Sequence, residues 1–195
     1  MPISGCTTIT YCLDRNDLIT HVNSAWADFA LANDAPDIAR RVVGTDLWRH
    51  LSGEEVIAFY HDLMAHVRRT GQVFSLPFRC DAADVRRQMR LTIEPLHEGG
   101  LFFESRTLSE IPRRALHLFD TTVPRTEEVA PLCVMCQRLQ NGDWRDADQY
   151  ASRMGWTVRS NTPKVTHRVC ERCQSLSPAA RAVSMIPKIP LFERS

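Results

Sequence analysis

The sequence predicts an α+β fold: a five-stranded antiparallel sheet with flanking helices, followed by a small C-terminal module organised by paired cysteines. Three observations predict it. Two short β-prone segments open the chain, and three more follow a long amphipathic helix. Four of the 7 cysteines stand in two tight pairs near the C-terminus. Composition is that of an ordinary globular protein, with 44% hydrophobic and 24% charged residues.

The elements are read in order. Ile9–Leu13 and Leu18–Val22 alternate around the turn residues Asp14-Arg15-Asn16-Asp17 and form a hairpin. Asn23 and Ser24 cap a helix over 25–30, and a polar stretch spans 33–37. Gly44-Thr45-Asp46-Leu47-Trp48 turns into a short helix. The longest helix follows Ser52-Gly53. Ser52 and Glu55 have the spacing of a capping box, and Val56, Tyr60, Leu63, Met64 and Val67 share one face. Gly71 ends it, with Arg68 and Arg69 in its last turn. Segments 73–80, 87–95 and 100–107 are strands; Met89, Leu91 and Ile93 alternate with polar residues, as on a half-buried sheet. Residues 109–130 read as a connector with a short helix near 111–119, and 177–195 as a Pro-containing tail.

This order of elements, the polar Asp-x-x-Asp hairpin turn, the Val22-Asn23-Ser24-Ala25-Trp26 step and the Gly44–Trp48 turn resemble the PAS family over residues 1–108. The resemblance implies a PAS-like sensor or dimerisation domain able to enclose a small ligand, without saying which. Some PAS sensors hold haem through a His on the long helix. Here His61 and His66 are five residues apart and fall on different faces, so the plainer reading is polar surface. Cys80 reads as a space-filling thiol rather than a redox sensor, and Arg86, Arg87 and Arg90 as a solvated strand face rather than an anion site.

The strongest chemical signal lies in residues 131–176. Cys133-Val134-Met135-Cys136 and Cys170-Glu171-Arg172-Cys173 are two knuckles, each able to bring two sulfurs to one ion. Four thiolates in a tetrahedron suit a structural zinc, which is redox-inert and takes soft ligands. In a reducing cytosol, paired cysteines point to metal rather than to disulfides. His167, three residues before Cys170, is the alternative: it replaces one cysteine or donates to a sulfur. Arg138, Arg168 and Arg172 flank the pairs and offset the charge of four thiolates. Trp144, Tyr150 and Trp156 are the expected core of a module too small to fold without metal. The run from Pro131 through Gly142-Asp143-Trp144 and Tyr150 to His167-Arg168-Val169-Cys170-Glu171-Arg172-Cys173 is similar to the cysteine-rich tail of bacterial PAS-containing histidine kinases and response regulators. Its departure is a longer, Pro-containing stretch over 159–164.

Bulk properties narrow the function. The formal net charge is +1, from 24 basic and 23 acidic residues, which lacks the basic excess of most nucleic-acid binders. No leader pattern opens the chain and no apolar run suits a membrane span, so a cytoplasmic protein is expected. A closed four-cysteine shell leaves no open position for catalysis, and the motifs of a zinc deaminase or a thioredoxin-like enzyme are missing. The expectation is a non-enzymatic signalling protein and homodimer. Its PAS-like domain binds a small molecule or mediates pairing, and its zinc module contacts a protein partner. A thiol redox switch, and nucleic-acid binding through the locally basic C-terminal half, are the rivals.

Overall fold

The computed structural model describes residues 8–32, 41–120, 122–156 and 161–180. Cys6, the stretch 33–37, Arg159 and most of the expected tail lie outside them.

Five strands form the first sheet: β1 (Thr8–Leu13), β2 (Ile19–Val22), β3 (Phe74–Arg79), β4 (Val85–Pro95) and β5 (Leu101–Pro112). Their order is β2-β1-β5-β4-β3, and every pairing is antiparallel. Helix α1 (Ser24–Ala32), a 3₁₀ turn (Leu47–His50) and the long α2 (Glu54–Thr70) occupy the stretch between β2 and β3. This is the PAS-like arrangement the sequence predicts.

Local chemistry explains these elements. The Asp14 carboxylate accepts the Asn16 and Leu18 amides and closes the hairpin turn. Asn23 Oδ1 accepts from Trp26 N and caps α1, and Asp46 caps the 3₁₀ turn through Trp48 N. Gly71, in the left-handed region with φ 66°, ends α2. Arg68, in the last turn of α2, reaches the Asp17 carboxylate at 2.7 Å and ties the helix to the hairpin. The buried stripe of α2 is Val56, Phe59, Leu63, Met64 and Val67, with Phe59 taking the place expected of Tyr60. It packs on Leu76, Leu91, Ile93, Leu101 and Phe103, and Tyr11 stacks on Phe103 at 4.5 Å. His61 stacks on Trp48, whereas His66 meets Phe74 edge-on, so the two histidines do point to different neighbours.

Four sequence expectations are corrected. Ser52 and Glu55 do not form a capping box. The N-cap of α2 is Gly53, with φ 95° and no side-chain cap, and both side chains turn instead to the C-terminal half. β5 runs on to Pro112 beside β4, and a bulge at Leu108 shifts its register. The short helix expected near 111–119 shrinks to a 3₁₀ turn at His117–Phe119. Arg86 and Arg87 are not a solvated face: Arg86 binds Asp146, and Arg87 binds Glu110.

The cysteine module contains a second sheet, β6 (Val129–Cys133), β7 (Arg138–Asn141), β8 (Asp143–Asp146) and β9 (Lys164–Arg168), in the order β8-β7-β6-β9. β6 and β9 are parallel, so the chain between them crosses over through α3 (Ala147–Arg153). One small core gathers Leu116, Leu118, Leu132, Leu139, Tyr150 and Trp156. Tyr150 and Trp156 fill the role expected of them, their rings 5.3 Å apart and edge to face. Trp144 packs against the main core instead. Ser177 and Pro178, assigned by sequence to the tail, are buried, and Ala179 N donates to the Asp62 carboxylate on α2.

Candidate metal centre

The two knuckles are built by different means. After β6 the chain turns at Cys133–Gln137. Gln137 takes a left-handed φ of 57°, and its amide donates to the Cys133 carbonyl. The turn aims the Arg138 amide at the Cys136 sulfur. The second knuckle opens α4 (Glu171–Gln174), with Cys170 at its N-cap and Cys173 inside its single turn.

The fold brings the four sequence-predicted sulfurs together. Sγ of Cys133, Cys136, Cys170 and Cys173 all lie within 4.8 Å of one another, and three of the four residues are buried. A tetrahedron of sulfurs about 2.3 Å from a central ion has edges of about 3.8 Å. The Cys136 and Cys170 sulfurs are 3.7 Å apart, which fits such an edge and is far too long for a disulfide. The Cys170 amide points at Cys133 Sγ from 3.4 Å. Hydrogen bonds from the Cys136 and Cys173 thiols drive Cys133 down towards thiolate, and the same bonds drive the two donors up. Four sulfurs this close form a donor set that one soft cation satisfies by displacing their protons.

His167 is not in the cluster. Its Nδ1 lies 2.8 Å from Ser52 Oγ, and desolvation lowers its pKa. It is thus engaged with the start of α2.

The contacts that seat the knuckles carry no local sequence signal. Glu55, in the first turn of α2, takes the Arg168 guanidinium and the Val169 amide. The Arg168 hydrogen bond holds the Glu55 carboxyl below its ordinary range. The Arg79 amide, at the end of edge strand β3, donates to the Met135 carbonyl in the first knuckle at 2.8 Å. Below it, Arg79 and Arg86 of the first sheet, and Arg113 just past β5, meet Asp146 and Asp148 of the module. Arg79 and Arg86 bind Asp146 at 3.1 and 2.9 Å, and Arg113 bridges Asp148 and Asp81 at 3.0 Å each. The Asp81 side chain is fully buried and is paired with both Arg79 and Arg113. Several basic residues that made the C-terminal half look suited to nucleic acid face carboxylates: Lys164 meets Glu127, Arg145 meets Asp143 and Arg168 meets Glu55.

Compared with known sequences, no family profile and no characterised protein matches this chain. The solved structures it is similar to include three PAS-containing proteins. The PAS domain of nitrogen regulation protein NR(II) from Vibrio parahaemolyticus is 20% identical with a TM-score of 0.35, covering 52% of this chain and 90% of that one. The PAS domain of the quorum-sensing receptor RpfR from Cronobacter turicensis is 15% identical with a TM-score of 0.38, covering 55% and 100%. The Aer2 receptor of Vibrio cholerae, described as a dual PAS-haem oxygen sensor, is 11% identical with a TM-score of 0.36, covering 55% and 100%. Among the described residues, no helix is long and apolar enough to cross a membrane.

Proposed function

We propose that this chain is a non-enzymatic regulatory protein of the cytoplasm. Its PAS-like domain receives a signal, as a small ligand or through pairing in a homodimer. A structural zinc, held by Cys133, Cys136, Cys170 and Cys173, fixes the module that meets a protein partner. The observation that carries this reading is the convergence of four sulfurs within 4.8 Å of one another inside the same apolar core as α2 and the PAS-like sheet. A change in that core reaches the knuckles directly, because Met135, Val169, Cys170 and Cys173 are part of it. Four cysteines leave no coordination position for substrate, which favours a regulatory role over catalysis. The likeness of residues 131–173 to the cysteine-rich tails of bacterial kinases and response regulators supports the same role.

A second reading, a thiol redox switch, draws on the closeness of the sulfurs and on the thiolate character of Cys133. A native mass spectrum of the protein purified under reducing conditions separates the two. The first reading expects a dimer with one zinc per chain and no loss of cysteine protons other than those the ion displaces. A metal-free chain whose four thiols pair off on exposure to peroxide would put the redox switch in its place.

A further inference from the structure

We propose that Glu55 is a positioning residue for the cysteine site, setting its metal affinity from the first turn of the PAS-like domain's long helix. The proposal rests on the reading that the four cysteines hold a metal.

The three residues before Cys170 run beside β6 and are also tied to the start of α2. His167 bonds Ser52 through its ring, and its carbonyl lies against Gly53. The Arg168 guanidinium and the Val169 amide both end on the Glu55 carboxylate. From there the chain runs into Cys170, whose own amide points at Cys133 Sγ. Glu55 is thus one hydrogen bond and one residue away from a ligand-bearing backbone.

His167 and Arg168 are exposed, and the segment is held by its pairing with β6, by the buried Val169 side chain and by these polar contacts to α2. The Arg168–Glu55 pair is itself half in solvent and is a weak clamp in isolation. The Val169 amide is different: its residue is 2% exposed, and without Glu55 the amide loses its partner next to the buried knuckle. Removing the carboxylate therefore frees the approach to Cys170, and metal binding must then order it. Outer-shell partners of metal ligands act on affinity in this way. By linkage, metal in the site must in turn tighten the first turn of α2. Glu54, on the same turn and exposed, makes no such contact among the described residues and serves as the control.

The test is zinc affinity of the full chain, by competition with a chromogenic chelator, for wild type, Glu55→Ala, Glu55→Gln and Glu54→Ala. Glu55→Ala is expected to bind zinc about tenfold more weakly. Glu55→Gln should fall between, because its amide oxygen still accepts the Val169 N–H, and Glu54→Ala should match wild type. Hydrogen exchange of amides 54–59 is the reciprocal readout. Chelation should speed it in wild type, and much less in Glu55→Ala. Wild type that binds zinc, together with a Glu55→Ala chain whose affinity and exchange response both stay within about twofold of it, overturns the proposal alone. Wild type that binds no zinc overturns the four-cysteine reading and this proposal with it.

Discussion

Single residues decide how the knuckles meet the PAS-like domain, and Gly53 is the tightest point. It stands at φ 95°, and a Cβ there would overlap the His167 carbonyl oxygen. Gly44 has a similar φ of 84° but open space around it. An alanine at either position pays for the left-handed backbone, whereas only Gly53→Ala must also push β9 away. Gly44→Ala is expected to cost about 1 kcal/mol and Gly53→Ala about 2 kcal/mol or more, read from urea unfolding midpoints. Equal costs would mean that β9 yields freely and the approach is not a constraint. Ser52 and Glu55 teach a related lesson. Their spacing is that of a capping box, yet a glycine N-cap and two nearby partners, His167 and Arg168, draw both side chains away. Local propensity states what a side chain can do; the partner within reach decides what it does.

At the scale of elements, the seam between the sheets is electrostatic on one side and apolar on the other. Asp146 ends β8 and caps α3, so the turn that starts the helix also presents carboxylates to Arg79 and Arg86. Burial works to raise the Asp148 carboxyl, but the Arg86 hydrogen bond and the charges of Arg113 and Arg86 outweigh it and hold the group below its ordinary value. A carboxyl held low contributes stability that is fully present above its unfolded pKa, about 3.9, and is lost as pH falls through its lower folded value. Asp148→Asn should therefore lower stability at neutral pH and flatten its decline between about pH 5 and pH 3. Proton competition for the thiolates affects both proteins alike, so the difference between their urea midpoints isolates Asp148. Parallel profiles would show that Asp148 does not hold the seam. The same seam treats an edge problem. β3 is the outer strand of its sheet, but Pro77 removes one donor and the Met135 carbonyl takes the Arg79 amide, leaving less edge open to another chain.

At the scale of the whole molecule, the cysteine module and the PAS-like domain share one core. Cys133, Met135, Val169, Cys170 and Cys173 are buried together with Val56, Phe59 and Leu76. A metal in the site would therefore support both halves. Chelation is expected to lower the thermal midpoint of the entire chain while leaving one transition, followed both by zinc release and by the near-ultraviolet signal of Trp26 and Trp48 in the PAS-like half. Two separated transitions, with the Trp26 and Trp48 signal unmoved by chelator, would mean that the halves fold independently.

The sequence by itself determined the elements and the donor set. Turn chemistry at Asp14–Asp17, the apolar stripe of α2 and the alternation of Met89, Leu91 and Ile93 are short-range patterns, and each is where it was read except that Phe59 replaces Tyr60 on the stripe. The cysteines were legible because metal chemistry restricts both residue type and spacing within a knuckle. Tertiary structure decided the rest. The parallel pairing of β6 with β9 joins segments some thirty residues apart. The exclusion of His167, the docking by Glu55 and the Arg–Asp seam likewise depend on partners remote in the chain, so no local window contains them. A periodicity records which face a residue shows to its own element. What that face meets is set by the closing of two sheets on one core, where burial makes each unpaired polar group costly and so selects its partner.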